Sequence, residues 1–151
     1  MQEAKRVIDF QPDFLMGRST LGWAYIKLGM HDQGLAEIEK AVSLAPDNTL
    51  LLAQLGQAYA VAGKVGEARD TLQKLEELSR ERHVPSYHMA YVYTGLGELD
   101  KAMDALEQAY EQRAGGIYGI KGSFLFTELR DHPRFKALLK KMNLSDSDEN
   151  A

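Results

Sequence analysis

The sequence predicts an all-α fold: a right-handed superhelix of repeated helix pairs, closed by a C-terminal capping helix. Three observations carry this prediction. Leu21-Gly22-Trp23-Ala24-Tyr25 returns 34 residues later as Leu55-Gly56-Gln57-Ala58-Tyr59, and after another 34 as Met89-Ala90-Tyr91-Val92-Tyr93. Leu28-Gly29, Ala62-Gly63 and Leu96-Gly97 keep the same step, as do Gly34, Ala68, Ala102 and Ile38, Leu72, Leu106. Apolar residues within each period fall three to four apart, the spacing of one buried helical stripe. Glycine then recurs where each first helix should end, because it alone adopts the left-handed backbone at no steric cost.

Three tandem units follow, at 15–48, 49–82 and 83–116. The first helix of the first unit is expected to bury Leu21, Tyr25 and Leu28. Second helices should bury Leu35, Ile38 and Val42, then Ala68, Leu72 and Leu75, then Met103, Leu106 and Ala109. Pro46 separates two units and Pro12 stands one period earlier, whereas Arg80 and Ala114 hold the matching later places. Pro85 is expected in the opening turn of a helix, where its missing N–H costs little. Gly22, Gly56 and Ala90, with Gly34, Ala68 and Ala102, fall where a bulky side chain would push the paired helix away. Glycine inside a helix costs about 0.5–1 kcal/mol relative to alanine, so its repetition implies a packing reason. Stacked close pairs give a superhelix with a concave inner face.

The two ends depart from the period. Residues 1–14 match only the second helix of a truncated repeat, with Ala4 and Val7 facing inward. Its missing partner helix predicts either the tail of a longer array or a homo-oligomer in which a second copy covers the flank. Gly115-Gly116, Gly119 and Gly122 mark a loop, and a capping segment over 117–144 contains Asp131-His132-Pro133-Arg134-Phe135. Residues 145–151, Ser-Asp-Ser-Asp-Glu-Asn-Ala, are expected to be a disordered acidic tail.

The columns Leu21-Gly22, Tyr25, Gly34, Ile38, Ala41, Pro46, and Leu55-Gly56, Tyr59, Ala68, Leu72, resemble the tetratricopeptide repeat. The third unit is similar through Tyr93, Ala102, Leu106 and Ala109. Arg18, Leu52 and Ser86 stand where the family often has tryptophan, and Leu75 replaces its usual alanine. The resemblance implies a non-catalytic scaffold that binds a protein or peptide partner in a groove lined by first helices. Carried over by column, the groove comprises Met16, Ser19, Trp23, Ile26 and Lys27; Leu50, Ala53, Gln57, Ala60 and Val61; and Val84, Tyr87, Tyr91 and Thr94.

Trp23 falls beside the Leu21–Tyr25 stripe, where it serves either as a binding anchor or as packing against Gln57 or the C-terminal segment. As anchors, Trp23 and Tyr91 could both be cut to alanine with little change in thermal midpoint. Some relatives grip chaperone C-termini through lysine, arginine and asparagine; Ser19, Trp23, Gln54, Val84 and His88 stand at those places, which disfavours that chemistry. The run from Phe126 to Leu144 also resembles the closing segment of such arrays in bacterial signalling proteins. That likeness implies, as an alternative role, a C-terminal regulatory or oligomerisation region of a transcriptional regulator, cyclase or kinase.

Composition narrows the functions further. Eighteen basic against 22 acidic residues give a net charge of −4 and a pI near 5.6, which disfavours nucleic acid. No stretch approaches the roughly 18 apolar residues of a membrane span, and the N-terminus lacks a secretory core, so a cytoplasmic location is expected. Cysteine is absent, which removes disulfides and thiolate metal sites. The histidines at 31, 83, 88 and 132 lack metal-ligand spacing and are expected to be exposed or interfacial. The glycine-rich run at 115–123 fits neither phosphate-loop pattern. Glu37, Glu39, Glu67 and Asp104 alternate with basic residues on outer faces, so no catalytic group, cofactor or metal is expected.

Overall fold

The computed structural model describes residues 15–112 and 124–142, apart from the side chains of Met16 and Phe124. The expected half-repeat at 1–14, the glycine-rich run at 115–123 and the acidic tail at 145–151 lie outside the described residues. Six helices form three consecutive pairs: α1 (Leu15–Lys27) with α2 (His31–Leu44), α3 (Thr49–Val61) with α4 (Val65–Glu81), and α5 (Ser86–Gly95) with α6 (Leu99–Glu111). A 3-10 segment (Phe124–Leu129) and α7 (Pro133–Lys141) follow, and no strand occurs among the described residues. The chain is an all-α helical-repeat solenoid with a helical C-terminal cap.

The turn inside each pair is the same hydrogen-bonded device. Gly29, Gly63 and Gly97 have φ of 80°, 83° and 77°, the left-handed conformation expected at a helix C-terminus. The amide after each glycine reaches back to a tyrosine carbonyl: Met30 to Tyr25 at 2.9 Å, Lys64 to Tyr59 at 2.8 Å, and Glu98 to Tyr93 at 3.0 Å. Two expectations are corrected nearby. Leu28 is 63% exposed instead of buried, because α1 ends at Lys27 and Leu28 belongs to the turn. Pro85 immediately precedes α5 as its N-cap residue, and its carbonyl accepts from the His88 amide at 3.0 Å.

Small residues set how closely the helices approach. A Cβ on Gly22 would lie 2.8 Å from the Gly34 carbonyl oxygen, and one on Gly34 would lie 2.5 Å from the Gly22 oxygen. These distances put α1 and α2 in backbone contact at their crossing. Gly56 faces two neighbours at once, Thr71 on α4 and Val92 on α5, each 2.9 Å from an added Cβ. Gly95 was not predicted as a packing residue, yet a Cβ added there would lie 3.0 Å from the Gln57 carbonyl oxygen of α3. Ile38, Ala41, Leu51, Leu75, Met103 and Leu106 are sealed inside. Polar ties join successive pairs: Tyr59 donates to Glu39 at 2.8 Å, and Arg69 makes two bonds to Glu98.

The Asp-His-Pro-Arg-Phe run explains how the cap is seated. His132 is the N-cap of α7, its Nδ1 accepting from the Arg134 amide at 3.1 Å, and Pro133 takes the tolerated first helical position. With Nδ1 an acceptor, Nε2 carries the proton and donates to Asp100 at 3.0 Å. Arg134 spans Glu107 and Asp104 on α6, with contacts of 2.6 Å to both. Those carboxylates, Glu107 foremost, raise the guanidinium pKa above its ordinary value. Phe135, Leu138 and Met142 are buried, so apolar burial and a charged fork fix α7 together.

Candidate protein-binding groove

The face built by α1, α3 and α5 holds Ser19, Trp23, Lys27, Gln57 and Tyr91 of the side chains predicted for the groove, in two unequal parts. Toward the N-terminal end lies a cleft of about 280 Å³ lined by Ser19, Thr20, Trp23, Ala24, Lys27 and Gln54, with Leu125 as one wall. Ser19 donates to Gln54 Oε1 at 2.7 Å, a buried bond across adjacent first helices. Trp23 is 7% exposed and presents an aromatic wall, while Lys27 lies at the exposed rim.

The second part is covered by the chain itself. The 3-10 segment packs on α5, and Phe126 stacks on Tyr91 with ring centroids 4.7 Å apart and planes at 26°. Gln57 donates through Nε2 to the Leu125 carbonyl at 2.6 Å. Its Oε1 is buried and has no hydrogen-bond donor among the described residues. Burial and the neighbouring Tyr87 push the Tyr91 hydroxyl pKa up to about 12, so it stays neutral.

The remaining predicted residues fall elsewhere. Ile26 is corrected from groove to core: its Cγ1 faces Gly34 across the α1–α2 crossing. Val61 lies exposed at the end of α3, outside the cleft. Leu50 and Tyr87 are half-buried against the core, and the side chain of Met16 lies outside the description. Trp23 and Tyr91 are both buried, so truncating the pair is now expected to lower the thermal midpoint.

His88 corrects the expectation of an exposed or interfacial ring. It is buried, its Nδ1 lies 2.9 Å from Thr49 Oγ1, and Tyr87 meets it edge-on at 4.6 Å. Burial first, then the charge of His83, lowers its pKa from 6.5 to about 4. The ring is therefore neutral at pH 7. Gln54, named among the chaperone-grip places but not among the groove residues, is a wall of the cleft, and its 35-residue offset from Ser19, one period and one residue, signals that adjacency. The Gln57–Leu125 bond had no such signal, because Leu125 lies beyond the repeating part. Among the described residues no three His, Asp or Glu side chains converge as a metal set, and no helix is long and apolar enough to cross a membrane.

Two tetratricopeptide-repeat family models match the chain, one over residues 25–90 and one over 86–114. This chain is a tetratricopeptide-repeat protein. The matched stretches run together over more than half the sequence and take in the end of α1 and all of α2 to α6. No curated protein matches the chain. Tetratricopeptide repeats are in general non-catalytic protein–protein interaction modules.

Proposed function

We propose that this chain is a non-catalytic scaffold that holds a peptide or helix of a partner protein against its first-helix face. The cleft between α1 and α3 carries the proposal, because two successive repeats supply its walls and Trp23 and Leu125 give it an apolar lining. Ser19 and Gln54 satisfy each other there, so a partner need not compensate them as buried orphans. Rim polarity from Thr20 and Lys27 suits an apolar anchor flanked by exposed polar residues. The overall acidic charge favours protein over nucleic acid.

Peptide display against the whole chain tests this reading, followed by binding to a Thr20→Arg/Ala24→Arg variant. The two long side chains fill the cleft from α1 without entering the core. Selected peptides should lose at least 10-fold in affinity while the thermal midpoint moves by no more than about 2 °C. Peptides that bind the blocked chain as well as the native one would place the binding surface elsewhere.

A further inference from the structure

We propose that residues 124–129 are a built-in groove ligand, and that the partner carries the same chemistry: an apolar segment with a Leu-Phe-x-x-Leu pattern that displaces them. The proposal rests on the scaffold reading above and adds the partner's character. Three features of the 3-10 segment support it. Leu125, Phe126 and Leu129 are buried whereas Thr127 and Glu128 are exposed, so one face of this short stretch is the contact face. Phe126 stacks on Tyr91, and the Leu125 carbonyl accepts from Gln57, which is how a bound peptide would be held by side chain and backbone together. Leu125 also forms a wall of the open cleft, so the covered and open parts are one continuous surface.

Gln57 gives an external segment an advantage over the internal one. Its amide is buried and donates once, while its Oε1 receives no hydrogen bond from any described residue. An extended peptide offering both a carbonyl and an N–H at this level would satisfy both ends of the amide. A buried acceptor left unmatched is costly, so the second bond favours the newcomer. The internal segment counters this because it belongs to the same chain and binds without the cost of bimolecular association. Binding thereby becomes a competition in which the cap segment sets the threshold.

The test uses a fluorescent peptide, Phe-Leu-Phe-Thr-Glu-Leu, titrated into the full chain and followed by anisotropy. Native chain should bind it weakly. A Leu125→Ala/Phe126→Ala chain should bind at least 10-fold more tightly, and adding Tyr91→Ala or Gln57→Leu should remove that gain. A peptide with its central Phe replaced by Ala should not bind. The proposal is overturned if the doubly substituted chain, with helical circular dichroism intact, binds no better than native. Should that chain lose its helicity, Arg134→Met/Leu138→Ala decides, since it removes both the charged fork and part of the apolar burial that seat α7 without touching the groove: tighter binding supports the proposal and unchanged binding ends it. Failure here, with display peptides still blocked by Thr20→Arg/Ala24→Arg, removes only the internal-ligand claim and leaves the scaffold standing.

Discussion

Replacing Gly34 by alanine adds one methyl group at the tightest point of the repeat. Its Cβ would lie 2.5 Å from the Gly22 carbonyl oxygen and 2.5 Å from Ile26 Cγ1. The oxygen belongs to helix backbone and cannot rotate away, and a comfortable carbon–oxygen contact is roughly 3.3 Å. The α1 and α2 axes must therefore part by roughly 0.8 Å, enough to forfeit a quarter to a half of the dispersion across the crossing. Overpacking of this kind costs about 3 kcal/mol at its upper end, and the better helix propensity of alanine returns about 0.5–1 kcal/mol. The net loss is about 2 kcal/mol, a fall of roughly 4–8 °C in thermal midpoint for a chain of this size. Gly66→Ala on α4 is the control, because nothing lies within 4 Å of its added Cβ. There the propensity gain acts alone and should raise the midpoint slightly. Differential scanning calorimetry of both variants decides: if Gly34→Ala moves upward with Gly66→Ala, the close crossing does not exist.

Acid titration probes His88. Its folded pKa of about 4 lies below the ordinary 6.5, so the unfolded chain takes up the proton first as pH falls. Stability from this site is complete above pH 6.5 and drains away as pH drops toward 4, by about 2 kcal/mol once partial solvation of the ring is allowed for. Urea midpoints of the native and His88→Asn chains should converge over that window; parallel curves would refute a buried neutral imidazole. Arg134→Met should speed amide hydrogen exchange across α7 and the 3-10 segment while leaving α1 and α2 unchanged, whereas unchanged α7 protection would show that apolar burial alone seats the cap.

The repeat was legible because its physics is local. A glycine at 29, 63 and 97 must end a helix in a left-handed turn, and the three apolar stripes must then face their partners. Leu28 was misjudged for a related reason, since a stripe extrapolated one residue past its helix end enters the turn. The candidate cleft was half legible. Columns located Ser19, Trp23 and Lys27 on one cleft, and they misassigned Ile26, because a position that faces inward toward its pair and one that lines the cleft are neighbours on the same helix.

By itself the sequence determined the helix pairs, their turns and the need for small side chains at the crossings, since each depends on residues close in the chain or one period apart. Tertiary structure alone decided what covers the first-helix face. Phe126 on Tyr91 and Leu125 on Gln57 are contacts between the repeating part and a non-repeating end, and no periodicity encodes where such an end comes to rest. The same holds for His88, whose neutrality follows from burial beneath Tyr87 and beside Thr49. Desolvation depends on every neighbour at once, and neighbours exist only after folding.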